Sequence, residues 1–448
     1  MKRTAPRVQE TKTRPNSGRL AASTRSLRHR NFQLFFAGQL ISLIGTWMQT
    51  VAQSWLVYRL TGSALLLGAV GFASQIPVFL IAPLGGIVAD RYRRHRVVIA
   101  TQTSAMILAF ILAGLTLTHA VQVWHIFVLA ACLGVVNAFD IPARQSFIVE
   151  MVGKQDLMNA IALNSSMFNG ARVVGPAVAG LLVASIGEGW CFFANAVSYV
   201  AVIAGLLMMK LAPAEAAVRS ASALADIIEG FRFVRNTAPI QALLLLLGLM
   251  SLMGMPYSVL MPIFADRILG GGARSLGLLM GSAGVGALIG ALTLTMKSGL
   301  KGLSKWVAVS AAMFGVSLIL FSQSRLLWLS AALLVPVGLF MMLEMASSNT
   351  LIQAMVPDHL RGRVMALYSM MFMGMAPLGA LLSGALAHSV SAPVAVALGG
   401  LFCILGAVAF GVRLPALRAS ARELIVAQGM AGGEPAEQMT ARVAEQRQ

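Results

Sequence analysis

The sequence predicts an all-α integral membrane protein of twelve spanning helices arranged as two related six-helix bundles. Three observations predict it: an apolar composition, the recurrence of membrane-length runs, and an internal repeat. Of 448 residues, 58% are hydrophobic and 11% charged, against about a quarter charged in soluble domains. That balance excludes a globular cytosolic enzyme. A hydrocarbon core needs about 20 apolar residues per helical crossing. Runs of that order fall near 33–58, 63–89, 97–118, 122–141, 158–186, 189–209, 239–264, 276–296, 306–323, 326–345, 364–387 and 393–412.

Taken in order, residues 1–30 form a basic tail without the apolar core of a cleavable leader, so the first run is expected to stay on the chain as a span. Alternate threading places 29 of the 34 Lys and Arg on the side of the N-terminus. Arg59, Arg267, Arg274 and Arg325 fall opposite, and Arg172 lies within a span. Both termini are therefore expected in the cytoplasm, and the formal net charge of +18 reads as a topology signal. No zinc or helix–turn–helix pattern accompanies it, so a nucleic-acid partner is not expected. The polar interval 211–238 divides the runs six and six, giving a first bundle at 31–210, a linker, a second bundle at 239–413 and a cytoplasmic tail at 414–448. That tail is too polar to span and reads as a surface helix that frays. Cys132, Cys191 and Cys403 sit in apolar runs without metal-ligand spacing and read as buried free thiols.

The halves repeat one another. A shift of 204 residues aligns the segment from Phe147 with that from Leu351, with eleven identities in 34 positions. Gly170, Gly175 and Gly180 fall on Gly374, Gly379 and Gly384, and Asp140 on Glu344. Duplicated halves of this kind build many secondary transporters, with the substrate near the midplane between them.

The run GGIVADRYRRHRVV, residues 85–98, joins the second and third segments. It resembles the signature loop of the major facilitator superfamily, with Gly86, Asp90, Arg91 and Arg94 at the matching positions and Arg93 where a second glycine is usual. A carboxylate and guanidiniums at a membrane edge can form pairs that break and reform, with Asp140 as partner; the plainer reading is a positive anchor. In the fifth segment, Gly175, Pro176 and Gly180 match the exporter motif of the same superfamily, while Ala162, Ala171 and Ala179 replace usual glycines. Small residues allow close helix approach in lipid. By resemblance, this segment meets the eighth, with Gly277, Gly281, Gly286 and Gly290, between the halves. The runs NFQLFFAGQLISLIGTWMQTVAQSWLVYRLTGS, NAFDIPARQSF and VPDHLRGRVMALY are similar to the subfamily of the enterobactin exporter and related siderophore and drug exporters. The resemblance implies the major facilitator fold, a monomer in the bacterial inner membrane, and export by alternating access.

Candidate substrate contacts emerge from polarity in an apolar setting. Gln39, Ser42, Thr46, Gln49 and Gln53 share one face of the first segment, and the shifted positions Met250, Met253 and Tyr257 would provide a deformable wall opposite. Interhelical hydrogen bonding and core filling are the plainer readings of these two sets. Arg172 lies about 22 Å into the fifth segment, a depth at which an ionisable residue is a functional candidate. It would hold an anionic or catechol-like group; the alternative is a permanent ion pair, or hydrogen bonds to Asn169 and helix carbonyls. No phosphate-binding loop is present, so an ion gradient, with protons foremost, is the expected energy source. Asp140 and Glu344 are the candidate coupling sites, or else partners for the loop arginines and for Lys297, Lys301 and Lys305. No catalytic grouping, metal site or cofactor is expected. The reading is proton-coupled export of a small amphipathic molecule, foremost a siderophore, with multidrug efflux as the alternative; an importer, or a membrane receptor or scaffold that retains the fold, stands behind them.

Overall fold

The computed structural model describes residues 25–210, 223–297, 299–300 and 302–427, excluding the side chains of Pro83, Asp90, Lys154, Glu423, Ala427 and residues 223–227. The remaining parts of the two tails and of the linker lie outside the described residues, as does the side chain of Asp90. Among the described residues every regular element is helical. Twelve helices are long and apolar enough to cross a membrane: α1 (Arg30–Thr61), α2 (Ala64–Arg91), α3 (Arg94–Leu117), α4 (Val123–Gly153), α5 (Gln155–Ile186), α6 (Glu188–Leu207), α7 (Ala238–Ile268), α8 (Gly272–Met296), α9 (Leu303–Gln323), α10 (Leu327–Met355), α11 (Asp358–Ser389) and α12 (Ala392–Ala427).

Local chemistry sets the turns. Gly62, at φ 60°, takes the left-handed conformation that ends α1, and its N–H donates to the Tyr58 carbonyl. Ser63 then caps α2 by accepting from the Leu66 N–H. Gly153, at φ 70°, interrupts an otherwise continuous helical path and separates α4 from α5. Both α4 and α10 run about ten residues beyond the apolar segments that mark them in the sequence, because the helix continues into the polar region where hydropathy falls. The seventh helix is not uniform. Pro256 and Pro262 each remove a backbone donor, and α7 contains a wide π turn at Met250–Gly254 followed by a tight 3₁₀ turn at Met255–Ser258. The expectation for Cys132 fails: it is exposed, on the outer face of α4, while Cys191 and Cys403 are buried.

Two equivalent six-helix bundles result. In the first, α1 packs on α5 and α6, α2 on α4, and α3 on α4 and α6; in the second, α7 packs on α11 and α12, α8 on α10, and α9 on α10 and α12. Across the bundles, α2 meets α11 and α5 meets α8. The Arg- and Lys-rich ends of the helices lie at one face of the molecule, the basic end. There a short helical turn, Arg25–Arg28, is pinned to α5: Arg25 pairs with Asp156 at 3.0 Å, and the Ser26 hydroxyl donates to Asn159 Oδ1 at 2.7 Å. In the linker, the helix Ala223–Asn236 is tied to α11 by an ion pair between Glu229 and Arg363 at 2.5 Å.

The bundles touch from mid-depth to the end opposite the basic one. Gly284 of α8 lies against the backbone of Arg172 and Val173. Nearer the opposite end, a β-carbon on Gly180 would stand 2.8 Å from Gly277 Cα, and one on Gly384 would stand 2.9 Å from Gly68 Cα. These two glycine crossings are related by the repeat. The Tyr58 hydroxyl donates across the same seam to Asp266 at 2.9 Å, so that end is closed. Toward the basic end, Met158 of α5 and Met296 of α8 are 77% and 85% exposed.

Candidate functional site

A central cavity of about 440 Å³ lies between the bundles, lined from α1, α2, α4, α5, α6, α7, α8 and α11. Of the residues singled out in the sequence, it brings together Thr46, Gln49, Gln53, Arg172 and Tyr257, along with Pro176. Gln39, Ser42, Met250 and Met253 do not line it. Gln39 and Ser42 are buried where α1 crosses α6, whose backbone at Ala201–Val202 abuts Gly38. Their helical face is shared with Thr46 and Gln49, but nearer the basic end it is covered by α6. Met250 is buried in the second-bundle core, and the π turn beginning there shifts the register of the residues beyond it. Met255 and Met261 therefore take the positions on the cavity wall, joined by Met280 of α8 and Met373 of α11.

The two walls differ chemically. The first bundle presents Thr46, Thr50, Gln53, Ser74, Gln75, Asn137, Asn195 and Tyr199, whereas the second presents methionines, Pro256, Val259 and small residues with only Tyr257 and Ser258 carrying hydroxyls. Gln49 is held by Asn195, whose amide donates to Gln49 Oε1 at 2.7 Å. This is interhelical bonding that also shapes the wall. Gln53 makes no side-chain hydrogen bond among the described residues. The guanidinium of Arg172 stands 5.7 Å from the centroid of the Trp47 ring, a cation–π arrangement. Among the described residues it has no carboxylate partner, and the Asn169 amide donates to the Ser165 carbonyl instead.

Asp140, Glu344 and Gly86, expected to gate, lie outside the cavity lining. Asp140 is buried and engaged within its own bundle: Thr101 and Gln102 of α3 donate to its Oδ1 at 2.7 and 2.9 Å, and Arg144, one turn on, pairs with Oδ2 at 3.3 Å. The loop arginines are not its partners. Arg94 pairs with Glu150 at 3.0 Å, an acid that sequence reasoning missed because it sits in the polar extension of α4. Arg91 is exposed at the end of α2. The signature glycine Gly86 faces open space, whereas its neighbour Gly85 packs directly on the α4 backbone at Ala138 and Phe139. Glu344 is 1% exposed, accepts from Ser348 on its own helix at 2.9 Å, and has no cationic partner among the described residues. Lys297, one of its expected partners, instead lies 4.3 Å from the centroid of the Trp306 ring. Gly175 packs on α1 at Ile44, Trp47 and Met48; Gly180, together with the Pro176 carbonyl, makes the crossing between bundles against Gly277.

Two pseudo-symmetric six-helix bundles around a central cavity of mixed polarity define a membrane transporter of the major facilitator type. The chain belongs to the MFS_3 family, described as transmembrane secretion effector, whose model matches residues 21–442. It is 27% identical over 353 residues to the staphyloferrin A transporter of Staphylococcus aureus (strain NCTC 8325 / PS 47), covering 78% of this chain and 87% of that one. The multidrug efflux pump Tap of Mycolicibacterium fortuitum is 29% identical over 385 residues, covering 84% and 93%. The enterobactin exporter EntS of Escherichia coli O1:K1 / APEC is 26% identical over 371 residues, covering 82% and 88%. Among solved structures, the nucleoside transporter NupG superposes with a TM-score of 0.66 at 16% identity, covering 86% of this chain and 98% of that one. A bacterial homologue of the iron transporter ferroportin gives 0.65 at 17% identity, covering 86% and 98%. These likenesses establish the fold.

Proposed function

We propose that the protein exports a bulky, amphipathic, anionic molecule, foremost a siderophore, across the bacterial inner membrane by alternating access, in exchange for protons. The observation that carries this reading is the cavity's division: Arg172 and the hydrogen-bonding groups of α1, α2 and α6 on one wall, methionines and Tyr257 on the other. A guanidinium in a low-dielectric cavity attracts carboxylate or catecholate oxygens, and methionines adapt to an irregular apolar body. Both features suit a chelator with an acidic head on an apolar frame better than a sugar. Its relatives' roles with staphyloferrin A and enterobactin support the same class.

In this reading the basic end faces the cytoplasm, by the excess of Lys and Arg there. The molecule loads from that side while the glycine crossings keep the opposite end shut. Release requires Gly180–Gly277 and Gly68–Gly384 to part and the Tyr58–Asp266 bond to break. A proton on or off Glu344, whose carboxyl lacks a countercharge among the described residues, is the coupling event.

Multidrug efflux is the second reading, favoured by the methionine wall, since such surfaces repack around many partners, and by the similarity to Tap. Deleting the gene and comparing small molecules inside and outside the cells by mass spectrometry, with and without iron, separates the two. An acidic chelator retained inside only in the deletion under iron limitation supports siderophore export. A broad rise in drug susceptibility with no iron-dependent difference supports drug efflux.

A further inference from the structure

We infer that a crevice at the basic end, bounded by α7, α9, α10 and the end of α12, is a binding site for the headgroup of one anionic phospholipid. The crevice has a volume of about 910 Å³, in the range of small-molecule sites, and is separate from the central cavity. Its described side chains include three cations, Lys305, Arg418 and Arg422, and no acid. Arg418 is fixed by one hydrogen bond, Nε to the Ser304 hydroxyl at 2.9 Å, while its Nη2 is buried without an acceptor among the described residues. A buried guanidinium N–H ordinarily has an acceptor, and a phosphate oxygen supplies one.

Two further features point the same way. Gly302 and Ser304 open the first turn of the 21-residue helix α9 onto the crevice, and the positive end of a helix dipole favours a phosphate. The rest of the wall is apolar, with Leu243, Phe410, Leu414, Leu417 and Ile425. Free phosphate gains nothing from such a wall, whereas the upper acyl chains of a lipid do. The location suits this ligand, because α12 passes there from its apolar span into the charged segment beyond Arg413, at the depth where headgroups lie. This site is independent of the transported molecule, and its occupant would hold the end of α12 against the second bundle.

The test is a titration of the full-length protein in detergent, followed by native mass spectrometry, with phosphatidylglycerol, phosphatidylcholine or inorganic phosphate as ligand. Saturable retention of one phosphatidylglycerol per chain is expected, with phosphatidylcholine binding weakly. Each cation removed should weaken binding about fivefold, the value of one basic residue near an anionic surface. Arg418→Gln removes the anchored cation; Lys305→Gln with Arg422→Gln leaves the Arg418–Ser304 bond intact and serves if the first variant is unstable. Arg413→Gln, outside the crevice, should leave binding unchanged. Equal retention of both lipids, or undiminished binding in the variants, overturns the proposal. Displacement of the lipid by millimolar inorganic phosphate also overturns it, in favour of a free-phosphate site.

Discussion

Arg172 combines depth in the membrane, a neighbouring Trp47 ring and the lack of a carboxylate partner among the described residues. In the proposed function a charge placed so is kept for the acidic group of the substrate. Losing a hydrogen bond to a charged group costs about 1.5–3 kcal/mol, so Arg172→Ala should weaken binding of an anionic substrate by about ten- to a hundredfold, with Arg172→Lys intermediate because the charge survives without the fork. Binding titrations on purified protein check it, and unchanged affinity for every acidic substrate would remove Arg172 from the site. Asp140 differs, since both its oxygens are engaged inside one bundle. Asp140→Ala strands a partly buried Arg144 and should destabilise by about 3 kcal/mol or more, whereas Asp140→Asn keeps the acceptor for Thr101 and Gln102 and should cost less; thermal unfolding in detergent compares them. Arg172 was legible in the sequence because an isolated charge in an apolar run has few explanations. The side chains of Gln39 and Gln49 share a stripe, and only the position of α6 decides which is covered and which reaches the cavity. Glu150 carried no signal, being one acid in a polar stretch.

At the scale of elements, the glycines separate into those that touch and those that do not. Gly86 occupies the family's signature position yet faces open space, while a β-carbon at Gly85 would collide with the Ala138 carbonyl. Gly86→Ala should therefore be tolerated or slightly stabilising, by up to about 1 kcal/mol of helix propensity, and Gly85→Ala should lower the melting temperature and the yield of folded protein. Equal effects of the two would contradict the α2–α4 contact. The repeat was legible because glycines that let backbones cross recur in phase: 180 with 384 at the seam, and 175 with 379 inside the bundles. The course of α7 was not read, although Pro256 and Pro262 announced it. Hydropathy stays high through a π turn, so an apolar run conceals a change of register, and the methionines assigned to the cavity were displaced along the helix.

For the whole molecule, the repeat yields two bundles of equal architecture and unequal chemistry. Asp140 and Glu344 are equivalent by the 204-residue shift, yet the first is ion-paired and the second, among the described residues, has a hydrogen bond from Ser348 and no ion pair. In the proposed mechanism, symmetry supplies the rocking geometry, and asymmetry supplies a place for cargo and a place for a proton. A buried carboxyl without a countercharge among the described residues is costly to keep ionised in an apolar setting, so in the proposed mechanism a change in its surroundings as the bundles rock is the event that exchanges its proton. Glu344→Gln mimics the protonated group permanently. In inside-out membrane vesicles, the unaltered protein should accumulate substrate against its gradient when the lumen is acidified, and the variant should not. The variant should still exchange labelled for unlabelled substrate, because neither the cavity wall nor the glycine seam includes residue 344. Retained uphill accumulation would move the coupling role elsewhere, whereas loss of exchange as well would assign Glu344 to the folding of α10 or to the conformational change itself. Tyr58→Phe addresses the seam separately. Without the Asp266 bond, the far end should open more readily, raising the exchange rate while leaving the dependence on the proton gradient intact.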